Sequence, residues 1–547
     1  MILPRLHRFG AFAAAVLLSA SAGRAAPGPA VSLAIIKARV WTGNPQRPWA
    51  EALAVQDGRI TAVGSNGEIR AVTGPETRII DAGGCSVLPG LIDAHFHLLD
   101  LNTTGGVAPL SLRYMAGKKE FSEAVAAYAR TVPPGEWIFG EGWDERKWGG
   151  ELPTRDWIDG ATPRNPVWLL RGRGEAGLAN AAALEAAGIG RDTRGSPPEG
   201  IVRDRTGLPT GLIWGGPMEL MDAVLAERAG EQAGKSSEAI MARLASWGVT
   251  SVQHSGNWQE LLIFQRLRRE NRLLVRIYAA VPLPAWTRLR DYVQAHGRGD
   301  AWLRWGALKL FKMSWTQAPV LDRSGRPDRW SSLPTEAEVY GWFEGATLAG
   351  LPIMVHAGGF EILKIFNRVN DSVHPRDPRF RIEHAHNVPP EWIRLYAAAH
   401  VIASVQPPLL AAFDRGEGGG PPPKDLFPCR RLLDAGVKIV FGTDSVTATP
   451  LMSPFEVIAL AMARPGPDGR RLTREQCLTA YTRDAAFAEF SEADKGTLEP
   501  GKLADLILLD RDLFRSPAET LPSVRVLMTV IDGRIVHEAG SEPGGLR

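Results

Sequence analysis

The chain has 547 residues, of which 44% are hydrophobic and 22% charged, so it has enough apolar material for a large core and several domains. Its 58 glycines and 41 prolines stay below the share typical of low-complexity or collagen-like chains. The net charge is +3, but three of the 63 basic residues, Arg5, Arg8 and Arg24, lie in an N-terminal segment without acids. The rest of the chain contains 60 basic and 60 acidic residues, which argues against a basic surface for binding nucleic acid.

Residues 1–25 have the pattern of an export signal, with a basic start, the apolar run FGAFAAAVLLSASA and small residues around Arg24. An uncleaved membrane anchor is the alternative, but the run is shorter than the roughly 20 residues that span a bilayer. We therefore expect a Sec-type bacterial signal peptide, a periplasmic or secreted protein, and no stable membrane anchor after cleavage. The remaining cysteines, Cys85, Cys429 and Cys477, are too few and too widely spaced for a disulfide scaffold or a CxxC zinc module.

Short β-like runs fill residues 26–88 and return in residues 491–547. Each region contains a tight-hairpin signal, Asp57-Gly58 in the first and Asp532-Gly533 in the second. The shared pattern predicts one small β-sandwich domain built from both chain ends. Two unrelated β caps are the alternative.

Between them, residues 89–490 alternate short apolar strands with longer helical stretches, which indicates βα units and a parallel sheet. At least seven such strands favour an α/β fold of the (β/α)8 TIM-barrel type, with an insertion at about 98–235 after the first strand. A doubly wound open sheet is the alternative. Its dinucleotide-binding form gains no support, because no GxGxxG follows a strand.

Polar residues follow these apolar runs at the ends where a barrel carries its catalytic groups. In His95-Phe96-His97 the period of two places both imidazoles on one face, where they can bind one metal ion. Later strands end in further candidates, and one strand contains a lysine. These are Lys309, His356, His384 or His386, and Asp444.

The order HxH, strand lysine, His, His, Asp resembles the amidohydrolase superfamily. More narrowly, the chain is similar to the amidohydrolase family 3 or YtcJ-like group across almost its whole mature length. The similar stretches include LPGLIDAHFH, GEGWDERKW, RIEHAH, FGTDS and, most specifically, GTLEPGKLADLILLDRD. The resemblance implies a metal-dependent hydrolase built on a barrel with a composite β-domain.

It also implies a metal site for one or two divalent ions, most simply zinc. His384 is preferred to His386, because the family motif Arg-Ile-Glu-His ends there. Lys309 occupies a position where superfamily members often carry a carboxylated lysine, with an ordinary ion-pairing lysine as the alternative. The implied ligands are His95, His97, Lys309, His356, His384 and Asp444.

In this interpretation Asp444 is also catalytic, since it would accept a proton from a metal-activated water and pass it to the leaving nitrogen. The expected reaction is hydrolysis of a non-peptide C–N bond in an amide, cyclic amide or N-acyl compound. An esterase or lactonase using the same site, and a catalytically silent metal-stabilised binding protein, are the alternatives. The chain lacks a GxSxG elbow and an HExxH helix, which argues against two other hydrolase classes.

Several positions depart from the family pattern, including Glu175, where a histidine is usual, and His254, where an aspartate is frequent. We expect such positions to line the substrate pocket. The predicted substrate-binding residues are Trp143, Glu175, His254 and His386. Tryptophans crowd into residues 137–168, where core packing is the alternative to a pocket wall. The Gly/Pro-rich segment 414–428 is predicted to be a lid, with a passive loop as the alternative. The expected partner is a small-molecule substrate, and homo-oligomer formation is left open.

Overall fold

A computed structural model describes residues 31–99, 110–112, 115–171, 176–193, 200–214, 217–310, 336–356, 359–414, 423–445 and 449–540. The predicted signal peptide and Glu175 lie outside these ranges, as does most of the predicted lid. Within the described part of the chain, no helix is both long and apolar enough to cross a membrane.

The central element is a sheet of eight parallel strands arranged in chain order. The first and last strands meet at the closure, where the Asp444 N–H donates to the His95 carbonyl at 2.8 Å. There the backbone approaches so closely that a Cβ on Gly442 would lie 2.4 Å from the His95 nitrogen, so only glycine fits. The fold-class prediction is therefore confirmed. The eight strands are Leu91–Phe96, Val249–Ser255, Arg276–Pro282, Leu303–Leu310, Ile353–His356, Arg381–Glu383, Ile402–Val405 and Ile439–Phe441.

Helices surround this barrel and bury an apolar face against it. In the helix Phe360–Val373, for example, Ile362, Phe366 and Val369 recur at helical spacing and are buried. The helices that follow the first strand and its insertion are Met218–Ser246, Trp258–Arg269, Trp286–His296, Glu336–Leu348, Phe360–Val373, Pro390–Ala398, Pro407–Asp414, Cys429–Asp434, Pro454–Ala463, Arg474–Tyr481 and Arg483–Ala488.

Two further sheets form the β-domain, and one of them joins the chain ends, because the strand Leu506–Leu509 pairs antiparallel with Ser86–Pro89. One sheet has the order Arg59–Gly64, Ala52–Gln56, Leu33–Ile36 and Arg78–Asp81. The other has the order Arg534–Glu538, Val526–Ile531, Leu506–Leu509, Ser86–Pro89, Arg39–Trp41 and Trp49–Ala50.

Both predicted hairpin turns have positive φ at the aspartate and the glycine, as a type I′ turn requires. The turns also touch each other, since a Cβ on Gly533 would lie 2.9 Å from the Gly58 Cα. The predicted domain boundaries at 88/89 and 490/491 stay predictions.

The insertion after the first strand contains its own sheet. The sheet has the order Ile201–Arg203, Pro209–Trp214, Ala176–Ala179, Val167–Arg171, Ile138–Trp143 and Leu110–Ser111. In its core, Phe121 packs edge-on against Trp157 and Trp148, with ring centroids 5.7 and 6.2 Å apart. Part of the tryptophan cluster is thus core packing. The short helices Lys118–Ala129 and Ala181–Ala186 belong to this domain, and Asn66–Ala71 belongs to the β-domain.

Candidate metal centre

Four of the predicted ligands come together as a cluster of imidazoles at the carboxyl ends of the barrel strands. Ring centroids are 5.5 Å apart for His95 and His97, 4.8 Å for His95 and His384, and 4.3 Å for His356 and His384. His95 belongs to the first strand and His356 ends the fifth, whereas His384 directly follows the sixth. Side chains from separate strands therefore converge on one point, as in other barrels of this type.

Asp444, just past the eighth strand, faces this cluster. Its Oδ1 lies 3.2 Å from the Nε2 of His95 and 3.2 Å from the Nε2 of His97, and its Oδ2 lies 3.9 Å from the Nε2 of His384. Burial by itself raises the pKa of Asp444, but hydrogen bonds from His95 and His97 outweigh it and hold the pKa well below the usual value. The carboxylate is therefore charged across the physiological range.

The donor set fits a divalent transition metal. Ligand atoms of His95, His384 and Asp444 all lie within 4.8 Å of one another, and imidazole nitrogen with carboxylate oxygen suits zinc. The Nδ1 of His384 is buried and has no hydrogen-bond partner among the described residues. A buried polar atom without a partner is costly, which is the signature expected where a ligand is to be bound.

Three of the four imidazoles, those of His97, His356 and His384, are held in the neutral form that metal binding requires. Burial, followed by the nearby positive charge of Lys309, lowers the pKa of His356 to about 3. Burial also lowers the pKa of His97 and moves that of His384 well below its usual value. These three side chains offer lone pairs rather than protons at neutral pH. For His95, burial and Lys309 lower the pKa, but Glu383 and Asp444 outweigh them and raise it.

Lys309, in the fourth strand, is buried beside the same cluster. Burial lowers the pKa of its ammonium to about 8, and the charges of Glu383 and Asp444 act in the opposite direction. The lysine thus lies next to the imidazoles of the candidate metal site, where an unmodified ammonium would repel a bound cation.

Glu383 is a functional candidate that sequence reasoning did not select. Its Oε2 lies 2.6 Å from the Nδ1 of His95, and both side chains are almost fully buried. Arg381 donates through Nε to the other carboxylate oxygen and through Nη1 to the Gln253 side chain. A carboxylate on the second nitrogen of a ligating histidine fixes its tautomer and orientation. Arg381 and Glu383 alternate in a short buried strand, which is the sequence signal that marks them.

Asp93 fixes the closure of the barrel below the imidazole cluster. It accepts hydrogen bonds from the His95 N–H at 3.2 Å, the Thr443 N–H at 3.1 Å and the Thr443 hydroxyl at 2.8 Å. Burial raises the pKa of Asp93 to about 7 despite these bonds. One carboxyl group therefore couples the strand that carries His95 to the loop that carries Asp444.

The turns that carry His384 and Asp444 have an unusual backbone conformation. His384 has φ of 57° and Asp444 has φ of 61°, in the left-handed region that non-glycine residues rarely adopt. Such conformations persist where surrounding contacts impose them, and they cluster at functional sites. The Asp444 N–H bond to the His95 carbonyl and the His384 N–H bond to Gln406 Oε1, at 3.2 Å, hold the two turns.

The four residues predicted to bind substrate lie in different surroundings. The Nδ1 of His254 accepts from the Leu98 N–H at 3.0 Å and its Nε2 pairs with Glu260 at 2.9 Å, so both nitrogens are engaged within the protein. The Nε2 of His386 accepts from the Gln406 N–H at 3.0 Å. Trp143 lies in the insertion, with its indole donating to the Leu169 carbonyl at 2.9 Å. Glu175 is outside the described residues.

Comparison with known proteins agrees with this geometry. The sequence profile of the Amidohydrolase family matches residues 78–537. Over 544 residues the chain is 29% identical to Protein LONG AFTER FAR-RED 3 of Arabidopsis thaliana, covering 93% of this chain and 92% of the relative. It is 28% identical to the N-substituted formamide deformylase of Arthrobacter pascens, covering 92% and 98%. It is 25% identical to the putative amidohydrolase YtcJ of Bacillus subtilis, covering 89% and 96%.

Among solved structures, an uncharacterized metal-dependent hydrolase from Pyrococcus furiosus is similar, with a TM-score of 0.55 and 25% identity. The alignment covers 88% of this chain and 99% of that one. The likeness therefore extends over most of both chains rather than over one motif.

Proposed function

The chain belongs to the amidohydrolase family and is a metal-dependent hydrolase of C–N bonds, and on that premise we propose that its substrates are non-peptide amides, cyclic amides or N-acyl compounds. The observation that carries the proposal is the meeting of four imidazoles with a charged Asp444 in one cluster. The name of the formamide deformylase relative supports an amide-type substrate.

We propose zinc as the metal, held by the four clustered histidines and Asp444. A bound divalent ion of this kind lowers the pKa of a water to about 7 and polarises a substrate carbonyl. The chain's part is to keep His97, His356 and His384 deprotonated by burial and to hold His95 in one orientation through Glu383.

Asp444 is suited to move the proton in this reaction. Its carboxylate is charged, lies within hydrogen-bond reach of two imidazoles and belongs to a loop that the barrel closure fixes. We propose that it accepts the proton of the attacking water and delivers it to the leaving nitrogen. Delivering the proton avoids expelling an amide anion, which is a poor leaving group.

We further propose that Lys309 acts in a carboxylated form. The neutral amine adds CO2 at Nζ and releases a proton, so an anionic carbamate replaces the cationic ammonium and its repulsion of a bound metal ion is removed. Burial favours the neutral amine that this reaction needs, since it lowers the pKa of Lys309 to about 8. A carboxylated lysine would let the site hold two ions rather than one.

The N-terminal segment supports a proposal for where the enzyme works. Its basic start and apolar run indicate a signal peptide, and we propose a periplasmic or secreted enzyme that acts on small molecules. Cell fractionation with N-terminal sequencing tests this, and a cytoplasmic protein retaining residues 1–25 would contradict it.

The substrate class is tested with matched amide and ester pairs, each pair sharing one acyl group, supplied to the zinc-loaded enzyme. We expect hydrolysis of amides, with free amine as the measured product. Hydrolysis of esters alone would favour the esterase or lactonase, and binding without turnover of any compound would favour the silent binding protein.

A further inference from the structure

The inserted domain contains a cavity of about 230 Å³ at the carboxyl ends of its parallel strands. The strands Ile138–Trp143 and Val167–Arg171 run parallel, and the side chains of Trp143 and Arg171 at their ends line the cavity. In α/β sheets, ligands bind in the crevice outside the carboxyl ends of parallel strands. The location is therefore that of a binding site rather than of a gap in the core.

The walls of the cavity are apolar and partly aromatic. Trp143 is fully buried and fixed by its hydrogen bond to the Leu169 carbonyl, and Leu212 closes the wall. At the rim, Trp214 and Leu152 remain 42% and 44% exposed. Large apolar side chains left at the mouth of an apolar cavity mark a surface that a ligand covers.

The polar feature of the cavity is a two-point ion pair. Arg171 donates through Nε to the Oε2 of Glu145 at 2.8 Å and through Nη2 to Oε1 at 2.5 Å. Both side chains are mostly buried, with 19% and 12% exposed. Opening this ion pair to bind a charged ligand would cost free energy, because both charges are mostly buried. The cavity therefore selects a neutral group.

The cavity lies within the segment that connects the first and second barrel strands. The chain leaves the metal centre at Leu98, whose N–H is held by His254, and returns to the barrel through the helix Met218–Ser246. Segments that connect a strand to the following helix lie on the face where the strands end, which is the face of the imidazole cluster.

We propose that this cavity is a recognition subsite for a neutral, flat apolar group, such as an aryl ring, of the amide substrate. An apolar cavity of about 150 Å³ can hold benzene, so a space of about 230 Å³ matches one substituted ring. The assignment of the ligand as substrate rests on the proposed function, whereas binding of the ring itself does not.

Binding to the full-length chain is measured by saturation-transfer NMR with acetanilide, N-methylacetamide and benzoate as probes. Acetanilide is expected to bind more tightly than N-methylacetamide, which lacks the ring, and than benzoate, which is charged. The variants Trp214→Ala, which removes an aromatic side chain from the rim, and Leu152→Trp, which fills the mouth, are each expected to weaken acetanilide binding about tenfold or more.

Leu208→Trp is the matched control for Leu152→Trp, because Leu208 is 43% exposed in the same domain but does not line the cavity. Equal acetanilide affinity in the wild type and all three variants, or tighter binding of benzoate, would overturn the subsite. Binding that depends on the cavity, without hydrolysis of either amide, would overturn the proposed function and leave the subsite standing. If the wild type and all variants hydrolyse both amides and share the same KM for acetanilide, the proposed function stands and the subsite is overturned.

Discussion

His95 and Glu383 form a buried pair, with 2.6 Å between the imidazole Nδ1 and the carboxylate Oε2, although 288 residues separate them in the chain. The pair joins the first strand of the barrel to the sixth. It leaves the Nε2 of His95 facing Asp444 at 3.2 Å. Burial tends to raise the pKa of Glu383, but Arg381 and Lys309 outweigh it and move the pKa well below its usual value. A charged carboxylate therefore positions the ring that faces the metal site.

Replacing Glu383 by glutamine is expected to lower zinc affinity by about 10- to 100-fold. The carboxylate accepts from both His95 and Arg381, whereas the amide is uncharged and turns one of the two acceptors into a donor. Competition with a zinc-binding dye measures the change. Glu260→Gln is the matched control. Glu260 pairs with His254 in the same way at 2.9 Å, but His254 is not a predicted metal-binding residue. Equal zinc affinity in the Glu383→Gln variant and the wild type would contradict the positioning role.

Replacing Asp444 by asparagine is expected to lower kcat by about 10²- to 10⁴-fold, the usual contribution of a positioned general base. The substitution keeps the shape of the side chain but removes its ability to accept and hold a proton. Turnover is measured on an amide at saturating zinc, with bound zinc quantified in the same sample. Undiminished turnover in the zinc-loaded variant would defeat the assignment of proton transfer to Asp444.

His386 is expected to make the metal-free protein less stable in acid. Burial lowers the pKa of His386 from 6.5 to about 4. Between these two pH values His386 is protonated in the unfolded chain but stays neutral in the folded chain. Stability from this group is complete above pH 6.5 and is lost as the pH falls towards 4. At pH 5 the loss relative to pH 7 amounts to about 2 kcal/mol.

Urea unfolding at pH 7 and pH 5 tests this with His386→Gln, which keeps an acceptor for the Gln406 N–H. The variant should lose about 2 kcal/mol less than the wild type between the two pH values. His400→Gln, at an exposed histidine, serves as the control and should follow the wild type. An unchanged difference in the His386→Gln variant would refute the assignment.

Carboxylation of Lys309 predicts a carbamate signal in the ¹³C NMR spectrum of zinc-loaded enzyme supplied with ¹³C-bicarbonate. With a pKa of about 8, about a tenth of the side chain is the neutral amine at pH 7, enough to react. Lys309→Arg should lack the signal and bind one zinc ion per chain instead of two. A fully active wild type with one zinc ion and no carbamate would show that Lys309 acts unmodified.

Much of the fold follows from local sequence patterns. The Asp57-Gly58 and Asp532-Gly533 signals predicted two hairpins, and both adopt the positive φ values expected of them. The alternation of strands and helices predicted the barrel, and the histidines after its strands predicted which side chains meet. Their positions follow from topology, because all parallel strands in a barrel end on one face.

The features of the site that the sequence did not predict depend on contacts between distant segments of the chain. Glu383 gains its role only because the fold brings His95 against it. His254 has its nitrogens engaged by Leu98 and Glu260, and no local pattern showed that the chain leaving the first strand would return to it. The tryptophans of the insertion divide between core and cavity for the same reason. Trp157 packs against Phe121, whereas Trp143 faces the cavity.

Titrating zinc into the chelator-treated enzyme while measuring bound zinc and amine release tests the central claim most directly. We predict no amide hydrolysis without metal, and activity that rises with bound zinc until the cluster formed by His95, His97, His356, His384 and Asp444 is filled. Full hydrolysis by the metal-free protein, or a zinc-saturated protein that releases no amine from any amide, would contradict it.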